Sequence, residues 1–168
     1  MRLLMIVALL LLVMSPPDDH LDQLARSGNI DENAPVKASL EIAINASPEK
    51  VWGLLTDVKN WPGWQRDISK ADISGPLQSG TTFSWTAGTN IRSRIALVQP
   101  LEQFAWTGTA YKAKAIHVWK LQRLPGDHTL VKTNESMEGS LLTLFYSSSK
   151  LKESDQRWLN YLKAAAEQ

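Results

Sequence analysis

The feature that most constrains this chain is a change of hydrophobic period. From Ile68 to Glu138 apolar and polar residues alternate, in runs that read as strands: Ile68–Ser74, Thr81–Thr86, Ile91–Gln99, Gln103–Tyr111, Lys114–Arg123 and Leu130–Glu138. Turn signals separate them, at Gly75-Pro76, Ala87-Gly88, Pro100 and Pro125-Gly126-Asp127. Such short loops imply antiparallel neighbours. After Gly139 the period becomes 3.6, and Leu141, Leu144, Ser148, Leu151, Asp155, Trp158, Leu162 and Ala165 fall on one helical stripe. Ser147-Ser148-Ser149 leaves the middle of that stripe unfilled, which suits either a weak helical turn or a cavity beneath the helix.

Ahead of this block lies one more strand and a helix start. Leu40, Ile42 and Ile44 alternate with polar or small residues. Ser47 then suits a helix N-cap and Pro48 the first helical position, while Lys50 leaves the capping box incomplete. Val51, Leu54 and Leu55 form the buried side of that helix, and Asn60-Trp61-Pro62-Gly63-Trp64 breaks it. The class is therefore α+β: a bent antiparallel sheet of six to seven strands around a long C-terminal helix.

Leu3–Met14 is a run of twelve apolar residues behind Arg2, which fits a secretory signal or uncleaved anchor better than a full span of roughly 20 residues. The expectations are export or membrane anchoring through residues 3–14, with a misassigned start codon and a cytoplasmic protein as the alternative. Val13 and Ser15 make a poor cleavage site, because Pro16 would follow the cut. The domains read as 1–15 signal or anchor, 16–35 polar linker and 36–168 folded domain. His20–Ser27 could form a helical turn, with nothing to predict packing.

A net charge of +1 gives no reason to expect nucleic acid. With no cysteine, thiolate catalysis and Cys-ligated metals are excluded. Seven tryptophans are unusual, since each buries a large area and carries an N–H that needs a partner.

The last hairpin can be registered from sequence. A three-residue loop at Pro125-Gly126-Asp127 pairs Leu121 with Val131, Trp119 with Thr133 and His117 with Glu135; a two-residue loop would mix the faces. His117 and Glu135 then oppose each other on an apolar face. They could satisfy each other as a structural hydrogen bond, orient a ligand, or move a proton. Phe83, Trp85, Phe104, Trp106 and Trp119 share the concave face, as core or as cavity wall. Ser93 could donate into the same space, whereas Arg92 and Arg94 point to water. Trp64, Thr133, Leu144 and Ser148 complete the expected lining. No metal or cofactor is expected: His20 lies in the linker, His128 ends a hairpin, and no HExxH-type spacing exists.

The run SLEIAINASPEKVWGLLTDVKNWPGWQ resembles the opening of the START-like (SRPBCC) superfamily, which includes polyketide cyclase/dehydrase and lipid-transport proteins and the plant Bet v 1 type. Phe83-Ser84-Trp85, Phe104-Ala105-Trp106, His117-Val118-Trp119 and Thr133-Asn134-Glu135 extend the likeness across residues 36–166. The resemblance implies a helix-grip fold, with two short helices after the first strand and a mainly apolar cavity, and does not imply an enzyme. The leading expectation is a carrier or sensor of a small hydrophobic molecule such as a lipid, polyketide or aromatic compound. The alternatives are a cyclase- or dehydratase-like enzyme using His117 and Glu135, and a cell-envelope interaction module with a solid core. Oligomeric state is not fixed by the sequence.

Overall fold

The computed structural model describes residues 20–168. The signal or anchor reading and residues 3–14 lie outside the described residues. Seven antiparallel strands form one open sheet in the order β1-β7-β6-β5-β4-β3-β2. They are β1 (Val36–Ile44), β2 (Lys70–Ile73), β3 (Thr82–Ala87), β4 (Thr89–Gln99), β5 (Gln103–Ala110), β6 (Ala113–Leu124) and β7 (His128–Glu138). The helices are α1 (His20–Arg26), α2 (Pro48–Thr56), α3 (Leu142–Phe145) and α4 (Ser148–Ala166), with a 3-10 helix at Val58–Gly63. This is the expected helix-grip architecture, with two short helices between β1 and β2.

Local chemistry accounts for the element ends. Ser47 accepts the Lys50 N–H at 3.3 Å and Pro48 opens α2. The chain leaves α2 at Asp57, earlier than the tryptophan turn, and Pro62 sits inside the 3-10 helix that follows. The sheet bends at a bulge between Ile95 and Leu97, which moves Leu97 to the outer face and Val98 to the inner. The β6–β7 turn uses Gly126 and Asp127, both at positive φ, and pairs Leu124 with His128. That is the register read from the sequence.

α4 lies along β1, an edge of the sheet, and side chains at both helix ends bind β1 backbone groups. The Lys37 N–H donates to Ser148 Oγ at 3.0 Å, and just past the strand the Asn45 N–H donates to Glu167 Oε1 at 2.7 Å. The edge is thus covered by a helix, which protects it from pairing with another chain.

Two readings of the sequence need correction. Part of the polar linker is structure. Leu21, Ala25 and Ile30 are buried on the outer face of the sheet against Ala96, Ala105, Ile116 and Val118. Asp22 ties α1 down as well, accepting from Thr107 Oγ1 at 3.0 Å, with Arg94 3.9 Å away. Arg94 therefore meets α1 rather than water alone. The sheet has two apolar faces, and α1 is short enough that two buried residues per seven left no periodic signal.

The long helical stripe is also interrupted. Tyr146 is extended (φ −136°, ψ 141°), and Ser147 caps α4 by accepting the Lys150 N–H at 3.3 Å. The serine triple is a helix start, not an opening beneath a helix. Leu144 and Ser148, expected in the cavity lining, are both exposed: Leu144 lies before the break, out of phase with α4, and Ser148 is the first residue of α4, where its hydroxyl meets the edge of β1.

Truncating Leu21 to alanine should lower the unfolding free energy by about 2 kcal/mol, as for other buried leucines. Urea denaturation of the full chain checks this; an unchanged midpoint would mean that α1 does not hold the outer face.

Candidate functional site

The inner face of the sheet and α4 meet around an aromatic cluster. The side chains of Phe83, Phe104, Trp106, His117, Trp119 and Thr133 all face α4 and are buried, and Ser93 is buried with them. Trp158 on α4 sits at the centre. Its ring lies 5.3 Å from Trp61, 5.4 Å from Trp85, 5.5 Å from His117 and 5.7 Å from Trp119. The imidazole of His117 stacks on Trp119 at 5.0 Å and tilts toward Trp106 at 4.7 Å. Trp61 is fully buried and donates its indole N–H to the Leu55 carbonyl at 3.0 Å.

These rings fill the space expected to be a hollow. Two cavities, of about 510 and 460 Å³, lie on the outer face of the sheet, one beside α1 and one across β2–β5. The physical reason is volume: seven aromatic residues and an imidazole point at each other across a small sheet. Trp64 and Trp85 are half-buried at the rim. Trp85 donates to Ser93 Oγ at 3.1 Å, so the serine expected to face a ligand accepts from a neighbour.

At one side of this cluster lie three polar groups. His117 on β6 and Glu135 on β7 are cross-strand partners, as the register required, with Nδ1 3.3 Å from Glu135 Oε2. The other ring nitrogen, Nε2, shares a 2.7 Å hydrogen bond with the Thr133 hydroxyl. The third group is Asp155 of α4, only 1% exposed. One donor atom from each of His117, Glu135 and Asp155 lies within 4.8 Å of the other two. Asp155 was visible in the sequence as a member of the helical stripe, between Leu151 and Trp158. A carboxylate on an apolar stripe was the available signal; which strand it would meet was not readable.

Burial governs the protonation of this group. It drives the His117 imidazole down to about 3, so the ring is neutral. It also pushes Glu135 well above the usual carboxylate range, and the charge of Asp155 beside it adds to the rise. Asp155 is raised to about 7, again by burial, against an opposing hydrogen bond from Glu135. The two carboxyls therefore hold a proton between them near neutral pH. Tyr146, at the α3–α4 break, is raised by burial and then by the same two carboxylates. Four buried atoms here and nearby have no hydrogen-bond partner: Asp155 Oδ2 and the indole nitrogens of Trp64, Trp119 and Trp158.

Residues 35–144 match the family described as polyketide cyclase / dehydrase and lipid transport, and the chain belongs to that family. Solved structures share the fold. A hypothetical protein from Helicobacter pylori aligns with a TM-score of 0.72 at 20% identity, over 81% of this chain and 90% of that one. The Zhui aromatase/cyclase from Streptomyces sp. R1128 gives 0.63 at 16% identity, over 78% and 93%. A START superfamily protein from Mycobacterium smegmatis gives 0.59 at 19%, over 78% and 94%. No curated protein matches the sequence.

Raised carboxyl values carry a sign for stability. The folded state holds these protons more tightly than the unfolded chain, so their contribution is present at low pH and is lost as pH rises from about 4 through about 7. His117 acts oppositely, losing stability as pH falls from 6.5 toward 3. Replacing Asp155 by asparagine keeps the shape and removes one titration. The variant should gain stability relative to the parent between pH 4 and pH 8, by on the order of 1–4 kcal/mol. Thermal unfolding of both proteins across that range measures it; a constant difference would show that Asp155 ionises normally.

Proposed function

We propose that this chain binds a small, largely aromatic molecule bearing a carbonyl or hydroxyl oxygen, between the rim tryptophans and the His117–Glu135–Asp155 group. The observation that supports this most strongly is the set of buried atoms without partners. A buried polar group with no partner costs about 1–3 kcal/mol, and here an acceptor oxygen and two indole donors, on Trp119 and Trp158, lie around one aromatic cluster. A ligand oxygen would accept from an indole N–H, while a ligand hydroxyl would donate to Asp155 Oδ2. Family membership supports the reading, since its description spans cyclases, dehydrases and lipid transport. The packed interior favours a flat, compact ligand over a long lipid chain, which would need a large preformed hollow. Binding would displace Trp64 and Trp85, the half-buried rings. The apolar run Leu3–Met14 supports delivery of this activity to the cell envelope or beyond.

A second reading has its own support in Asp155, raised to about 7 beside Glu135 and a neutral imidazole. A carboxyl pair in that range can give or take a proton from a carbonyl compound, as a cyclase or dehydratase requires. Turnover of a poly-β-keto compound that is lost in Glu135→Gln would favour it, and saturable binding with the compound returned unchanged would dismiss it.

For the binding reading, tryptophan fluorescence is titrated with dihydroxyanthraquinone in the presence of a chelator, and with myristic acid for comparison. Saturable quenching by the anthraquinone is expected, weakened about tenfold in Asp155→Asn, with little response to the fatty acid. No quenching and no thermal shift from either compound would leave a solid-core interaction module as the better account.

A further inference from the structure

We infer that His117, Glu135 and Asp155 form a binding site for one divalent first-row transition-metal ion, with zinc the natural probe. The β6–β7 hairpin and α4 bring an imidazole nitrogen and two carboxylate oxygens within 4.8 Å of one another. This is the nitrogen-and-oxygen set that suits zinc, iron or manganese, and the imidazole argues against magnesium or calcium. The expectation of no metal rested on the histidines alone: with His20 and His128 elsewhere, no set of ligands could be assembled. Carboxylates supply the remaining ligands.

Three further observations fit a metal. Asp155 Oδ2 has no partner, although the residue is 1% exposed. His117 is held through Nε2 by the Thr133 hydroxyl at 2.7 Å, which leaves Nδ1 directed at Glu135 and fixes the ring. Outer-shell hydrogen bonds of this kind orient metal-bound histidines. Two carboxylates beside each other in an aromatic interior also carry a charge that a divalent cation would neutralise, and among the described residues the side chain paired with Glu135 is the neutral His117. Glu135 has 14% of its side chain exposed, so the approach is from the β7 side. Three protein ligands leave coordination positions for water or for a ligand oxygen, the pattern of reactive rather than purely structural sites.

The site shares its residues with the ligand reading but needs no organic ligand, and the two can fail separately. The anthraquinone titration is done under chelator, and the metal titration with zinc chloride alone. The full chain, stripped with chelator and dialysed, is titrated with zinc by calorimetry. One zinc per chain is expected, with Kd about 1 μM or tighter. Asp155→Asn should weaken it at least tenfold, and Thr133→Val about tenfold without removing a ligand. His20→Ala should not change it. X-ray absorption at the zinc edge of the unaltered protein needs no variant, and should show one imidazole in a nitrogen and oxygen shell. Absence of stoichiometric uptake would overturn the proposal. So would uptake unchanged in a folded Asp155→Asn, uptake lost in His20→Ala, or a shell with two or more imidazoles.

Discussion

Everything particular to this protein turns on a polar contact made where polar contacts are expensive: an imidazole and two carboxyls at the meeting of sheet and helix, walled by indole rings. Each member comes from a different element. β6 supplies His117, β7 supplies Glu135 and Thr133, and α4 supplies Asp155. The strands are locked in register by a turn of three residues, two of them at positive φ. The helix is held along β1 by hydrogen bonds at both ends. Moving any one of these elements by a residue would swing its polar side chain out of the group and an apolar one in, or the reverse.

Much of this was legible because strand geometry is simple. A period of two, with a loop of fixed length, determines which residues oppose each other, so His117 against Glu135 and Trp119 against Thr133 followed from counting. The placement of α4 did not follow. A helical stripe shows which residues face inward, but not which strand they meet, and so Asp155 stood in the pattern without a role. Leu144 went astray for a local reason, since one extended residue, Tyr146, resets the helical phase, and Ser148 because the break leaves it at the exposed start of α4. α1 was hidden by its brevity, because Leu21 and Ala25 alone do not make a pattern. The hollow was overestimated because the sequence shows how many tryptophans face inward, not how closely their rings approach.

The packing bears on the proposed function as well as on stability. The chain belongs to the family described as polyketide cyclase / dehydrase and lipid transport, and the fold is shared with an aromatase/cyclase and a START superfamily protein. Within that frame this interior is crowded and aromatic, and its polar groups gather on one side. Such an interior suits a flat molecule held by stacking at one end and by oxygen at the other. It suits a cation at the polar end as well, on the same Asp155 carboxyl that the ligand reading offers to a hydroxyl. The half-buried rims formed by Trp64 and Trp85 are where such an interior would loosen first.

The most direct test of the central claim is a carbon-13 NMR titration of the Glu135 and Asp155 side-chain carboxyls, with the His117 ring followed in the same samples. The account predicts that the pair still carries a proton at pH 6, titrates with apparent values well above the ordinary carboxylate range, and sits beside an imidazole that stays neutral. Two carboxyls fully ionised by pH 5, with a histidine that titrates near 6.5, would contradict it.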